Sequence, residues 1–270
     1  IDDLRVVANS SGHAIEFDEV DGFVRGLDMS GDNGGMLWDA EGQTSSSLEN
    51  SIITGNSASC LNLVDHTELL SDNVALDCES SAPATMSSSF ANFTNSWFVI
   101  ASSESFEMLG NSHLRWISSS DIGTPTFTGS DNIVDVMWMI EVHAVNQHLL
   151  HIPHAEVNMT FDLYESEQTA TLPYSGIETY GPFVGERWTP MQGWSDTNVV
   201  HTGCDYDGVH NDSNSADLNS DLSIYCRLEL QNQPPFIIWD SPSNEEIFAS
   251  GSTVSFDASR SWDLDFDALT

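Results

Sequence analysis

The sequence contains no lysine, and its only six basic residues are arginines: Arg5, Arg25, Arg115, Arg187, Arg227 and Arg260. Against them stand 42 acidic residues, for a formal charge of −36. A surface this negative repels phosphate, so the release of counterions that drives nucleic-acid binding has almost nothing to act on. Nucleic acid is excluded as a partner, and so is an anionic membrane surface. No apolar run approaches the roughly 20 residues needed to span a bilayer as a helix. The GxSxG, HExxH, GxGxxG and Walker patterns are all absent, and no cysteine is placed as a nucleophile. Cysteine is scarce, with Cys60, Cys78, Cys204 and Cys226 and no CxxC pair. A sparse, even set of this kind reads as two disulfides in an exported protein. Local pairing, Cys60 with Cys78 and Cys204 with Cys226, is the natural choice, although three connectivities are open.

What is present supports a folded, secreted chain. Of the 270 residues, 40% are hydrophobic, enough for real cores. The acidic surface suits a protein that stays soluble in saline water or holds divalent cations. Four glycosylation-type triplets begin at Asn9, Asn92, Asn158 and Asn211. The chain opens at Ile1 without an initiator Met and stops in mid-pattern at Thr270, so it is expected to be a segment of a longer extracellular or cell-surface protein.

Residues 1–130 read as brief strands separated by Gly, Asn, Asp and Ser. Apolar bursts recur at Phe23-Val24, Met36-Leu37-Trp38, Ile52-Ile53, Leu61-Asn62-Leu63 and Trp97-Phe98-Val99-Ile100. A loose repeat begins at Gly26, Asn50, Asn73, Asn92 and Asn111, each copy placing a turn residue before a strand. A period near 20 residues predicts a solenoid in which only stacked coils bury a core. Leu48-Glu49-Asn50-Ser51-Ile52-Ile53-Thr54-Gly55-Asn56 and Leu70-Ser71-Asp72-Asn73-Val74-Ala75-Leu76 resemble right-handed parallel β-helix repeats. Under that resemblance Cys60 and Cys78 fall about one coil apart. A β-sandwich with strands at half that spacing is the competing reading.

From Asp131 the texture changes. Apolar residues hold alternate positions across Val134-Asp135-Val136-Met137-Trp138-Met139-Ile140-Glu141-Val142, a strand with one buried face. A second strand is expected across Ile152–Phe161 and a closing one across Leu222–Leu230. The strand, turn and Pro-x-Ala-x-Val order at Pro153-His154-Ala155-Glu156-Val157 resembles the opening of carboxypeptidase-regulatory-like and related Ig-like domains, which implies a β-sandwich over residues 131–232. Gln233-Pro234-Pro235 reads as a linker. Gly251-Ser252-Thr253-Val254-Ser255-Phe256-Asp257-Ala258-Ser259 with Asp263, Asp265, Asp267, Leu269 and Thr270 resembles the start of a PKD domain, implying a truncated PKD-like β-sandwich over 233–270. Leu264 and Phe266 depart from the Pro and Gly usual between its acids. The whole is expected to be all-β.

The best candidate for chemistry is Cys204-Asp205-Tyr206-Asp207-Gly208, continuing through Asp212, Asp217 and Asp221 to Cys226. Alternating Asp with a following Gly lets one loop turn several oxygens toward calcium. The full EF-hand rule fails, because the position for its bidentate Glu is Ala216. Asp263, Asp265 and Asp267 form a weaker cluster of the same kind. His143, His148, His151 and His154 gather in what reads as a turn and strand rather than a helix, so convergence on one zinc is not expected. Trp38, Trp97 and Trp116 are candidates to stack on sugar rings, but a strand Trp is more often core. These features together predict a non-catalytic surface module for adhesion, for binding glycans or other surface proteins, or for envelope scaffolding, stabilised by calcium. The alternative is a secreted polysaccharide lyase or glycoside hydrolase on the β-helix, for which Arg25 and Arg115 are the basic groups at hand.

Overall fold

Once per coil the backbone turns through a residue of positive φ: Asp3, Gly26, Asn50, Asn73, Asn95 and Ser118, with φ of 45–66°. Asn, Asp and Gly tolerate this left-handed conformation best, which is why the corner falls where the sequence offers them. A second corner follows the same rule at Asp65, Ser88, Gly110 and Gly129. In this computed structural model the structure describes residues 3, 5–8, 15–18, 22–31, 35–39, 45–55, 59–65, 67–78, 84–100, 104–119, 122–230 and 250–261.

Between the corners lie short strands: β1 (Arg5–Ala8), β2 (Ile15–Asp18), β3 (Phe23–Arg25), β4 (Asp28–Gly31), β5 (Met36–Asp39), β6 (Ser45–Gly55), β7 (Leu61–Val64) and β8 (Glu68–Cys78). The series continues with β9 (Ala84–Ser87), β10 (Phe90–Thr94), β11 (Trp97–Ile100), β12 (Glu104–Leu109), β13 (His113–Ile117) and β14 (Thr124–Thr128). Every pairing among them is parallel and joins one coil to the next. Phe90 lies between Glu68 and His113, and Leu61 between Met36 and Ala84. β6 and β8 run through the corner, so their first and second halves belong to different faces. The result is a parallel β-helix of about four turns, the repeat expected from the sequence. The repeat drifts out of phase in its later copies. Asn95, not Asn92, occupies the third Asn corner, and Asn111 follows Gly110 at the other corner.

Side-chain ladders hold the corners in register. Asn73 donates to Asn50 (2.8 Å) and Asn95 to Asp72 (3.0 Å). Buried serines receive backbone N–H groups from the preceding coil: Ser51 from Leu27 (3.1 Å), Ser96 from Val74 (3.2 Å) and Ser119 from Ser96 (2.9 Å). These bonds satisfy polar groups that burial would otherwise penalise by about 1–3 kcal/mol each. Inside, Leu69, Ala91, Leu114 and Val134 stack as one inward column. Phe93, Phe98, Phe106 and Trp116 close the C-terminal end of this core, with Phe98 stacked on Trp116 at 4.4 Å between centroids.

β15 (Ile133–Asn146) carries the sheet onward. Its first residues pair in parallel with β13, while Val134–His143 also pair antiparallel with β18 (Ile177–Thr189) and Ile140–Asn146 pair in parallel with β22 (Leu222–Leu228). A second antiparallel sheet is built from β16 (Glu156–Phe161), β17 (Gln168–Thr171), β20 (Val199–Tyr206) and β21 (Val209–Asp217), and β19 (Gly193–Trp194) edges β18. The two sheets share a core of Ile140, Val142, Val157, Met159, Phe183, Val200, Ile224 and Leu228 among others. Cys204 on one sheet is bonded to Cys226 on the other, with Cα atoms 6.0 Å apart. The strands expected at 152–161 and 222–230 are found at 156–161 and 222–228, Ile152 and Pro153 preceding the former in a buried turn. Among the described residues there is no helix. Of the PKD-like stretch only residues 250–261 are described, mostly exposed and irregular, with turns at 250–251 and 259–260.

Candidate functional site

The outward face of the β3, β6, β8, β10, β13 and β15 stack carries the richest set of polar groups. In a strand successive side chains point to opposite faces, so residues two apart share this surface. A groove of about 330 Å³ runs across four coils and is lined by Ser47, Glu49, Leu70, Asp72, Asn92, Thr94 and Ile117. Leu70 is 44% exposed within it, an apolar side chain flanked by small and polar ones. In the next coil the Arg115 guanidinium lies 5.2 Å over the Phe90 ring, and His113 meets the same ring edge-on at 5.4 Å. The Asn92 Oδ1 and Arg115 Nε atoms, on residues directly paired across β10 and β13, are both buried without a hydrogen-bond partner.

Asp135 closes this face where the coils end. Its side chain is 2% exposed. Arg187 binds it through two nitrogens, Nε at 2.5 Å and Nη2 at 3.0 Å, and His113 Nε2 lies 2.9 Å from Oδ2. Burial alone would raise its pKa, but the hydrogen bonds from His113 and Arg187, with their charges, outweigh burial and hold the carboxyl below its usual value. Arg187 also lies 4.7 Å over the Tyr164 ring.

The five aspartates expected to hold calcium are spread over the second region. Asp205 and Asp207 stand at the β20–β21 turn, beside a polar cavity of about 460 Å³ that they line with His154, Glu156, Tyr206 and Gly208. His210 bridges Asp205 (3.7 Å) and Asp212 (2.7 Å). Burial, then the Asp207 charge, pushes the Tyr206 hydroxyl up in pKa. Asp217 pairs with Val199 at the far end of the same hairpin from the Asp205–His210 pair. Asp221 is occupied elsewhere, accepting from the Met139 N–H and the Ser118 hydroxyl, each at 2.8 Å. One ion cannot collect all five. Among the described residues no three His, Cys, Asp or Glu side chains are grouped to hold a metal. Asp263, Asp265 and Asp267 lie outside the described residues.

The other expectations resolve individually. Cys204–Cys226 is formed. Cys60 is buried in the solenoid core and disulfide-bonded, while the side chain of Cys78, its expected partner, lies outside the described set. Trp116 is core at 1% exposure and Trp97 is 39% exposed; the side chain of Trp38 is not among those described. Arg25 sits 3.9 Å from Glu49, its direct partner on the following coil. Of the glycosylation-type asparagines, Asn158 is exposed on β16 and bonded to Glu167 (2.7 Å), and Asn211 donates to the Arg227 carbonyl (2.6 Å). His154 meets the Tyr174 ring at 6.3 Å, and the structure brings His143 and His151 together at 3.3 Å, a pairing the sequence spacing did not single out. The signal available was the antiparallel return of the chain after Asn146-Gln147-His148, which places residues flanking the turn across from each other.

Compared with known proteins, the chain matches no family model, no curated protein and no solved structure.

Proposed function

We propose that the chain is a non-catalytic segment of an extracellular or cell-surface modular protein, whose solenoid face binds glycans or other surface proteins. The observation that carries this reading is the groove from Ser47 to Ile117. It crosses successive coils, offers hydroxyl, amide and carboxylate groups beside one exposed leucine, and so suits an extended, hydroxyl-rich polymer rather than a small apolar ligand. The negative charge selects for neutral or cationic partners. The Cys204–Cys226 link and the sparse cysteine usage support export. The two facing sheets joined by that disulfide support the Ig-like reading of 131–232, and the PKD-like reading of 233–270 rests on its sequence resemblance.

The rival reading, a polysaccharide lyase or hydrolase, draws on Arg115, His113 and Asp135 sharing one face. Its carboxylate is already saturated by Arg187 and His113 and nearly inaccessible, which makes Asp135 a poor proton acceptor for substrate. The test is a glycan array followed by calorimetry on each hit with the full chain and with Leu70→Asp. Binding that is lost in Leu70→Asp, without depolymerised product, supports the proposal. No retained glycan or surface protein, or accumulation of cleaved product, overturns it.

A further inference from the structure

We infer that His143 and His151 form a binding site for a transition-metal dication of the zinc, nickel or copper class, independent of the glycan-binding groove. His143 lies on β15, buried at 7% exposure, with the exposed Tyr225 of β22 stacked on its ring at 4.3 Å. The chain then turns at Gln147–Leu150 and returns antiparallel, Val145 bridging to His151. This return sets His151 Nε2 3.3 Å from His143 Nδ1.

The hydrogen-bond partner on the other side of His143 decides what Nδ1 offers. His143 Nε2 lies 2.7 Å from a Glu141 carboxylate oxygen. An ionised carboxylate only accepts, so Nε2 carries the proton and Nδ1 presents a lone pair toward His151. A carboxylate behind a histidine is the arrangement that orients metal-bound imidazoles and raises their basicity. Two imidazole nitrogens held at about 2.0–2.1 Å from one tetrahedral ion stand about 3.3–3.4 Å apart. The observed separation therefore admits an ion in place of the shared proton with little movement. Two protein nitrogens leave the remaining positions to water, and imidazole donors select zinc, nickel or copper over calcium or magnesium. The −36 charge of the chain raises the local concentration of any dication.

The test is calorimetric titration of the full chain with nickel and, separately, calcium, after metal stripping. The variants are His151→Gln, whose partly buried position in an isolated bridge leaves the fold in place by circular dichroism, and Glu141→Gln. The expected results are one equivalent of nickel bound more tightly than calcium, loss of that binding in His151→Gln, and a weakening of about tenfold or more in Glu141→Gln through the misoriented His143. Nickel binding unchanged in His151→Gln would overturn the site, as would a wild-type chain that prefers calcium; either result leaves His143 and His151 as a plain hydrogen-bonded pair.

Discussion

Arg187 on β18 grips Asp135 on β15 with two hydrogen bonds, at 2.5 and 3.0 Å, at the point where parallel coils give way to antiparallel strands. The carboxylate is buried, and its Oδ2, which also accepts from Arg187 Nη2, faces His113 of the last complete coil. One aspartate thus joins three strands, β13 and β15 running in parallel and β18 antiparallel to them. Removing one partner of a buried ion pair leaves an uncompensated charge, so Arg187→Met should destabilise by about 3 kcal/mol, read from urea midpoints. A change below 1 kcal/mol would show that His113 alone suffices.

The same group sets an acid response. The folded pKa of Asp135 is lowered, so its contribution is present above the unfolded carboxylate value, near 3.8, and is lost as pH falls through the folded one. Asp135→Asn should therefore be less stable at neutral pH and show a flatter decline in stability below about pH 4. Parallel acid limbs for the two proteins would assign acid sensitivity to other carboxylates.

Asp221 stitches the hand-over from β13 to β22, its carboxylate taking the Ser118 hydroxyl and the Met139 N–H just before β22 begins. Asp221→Ala should cost about 1–2 kcal/mol, as for a charge-assisted hydrogen bond at a partly exposed site. The loss should be the same in calcium and in chelator, measured by thermal melting in both. A loss seen only in calcium would return Asp221 to a metal-binding role.

At the Asn73 corner, φ is 55° and the amide bonds to Asn50. Asn73→Ala combines left-handed strain with loss of the ladder bond, for about 1–2 kcal/mol. Asn73→Gly relieves the strain and should be the milder change. Chemical unfolding of the two variants, with alanine no worse than glycine, would refute the role of the corner conformation.

Opening the inter-sheet link by Cys204→Ala with Cys226→Ala removes a cross-link between residues 22 apart. The expected destabilisation is about 3 kcal/mol. It should fall on the C-terminal sheets, so hydrogen exchange should quicken at β20 and β22 while β6 and β8 keep their protection.

The stacked coils were legible because each must spend a left-handed corner on Asn, Gly, Asp or Ser, and Gly26, Asn50 and Asn73 stand out against apolar strands. The later copies were misplaced, at Asn92 and Asn111 instead of Asn95 and Gly110, because a strand can lengthen by a residue or two without altering its local pattern. The alternation in Val134–Val142 identified a strand but not its partners. That β15 pairs with β13, β18 and β22 follows from long-range register, which no local window contains.

Patterning along the sequence pointed to the all-β character, composition set the acidic surface, and spacing made Cys204 with Cys226 a natural pairing among three connectivities. Only the tertiary structure decided which polar residues act together. Asp205 and Asp217, which look like parts of one calcium loop in sequence, stand at opposite ends of a hairpin, because extended chain advances about 3.3 Å per residue. Asp135 and Arg187, 52 residues apart in sequence, meet because two strands of opposite direction share one sheet.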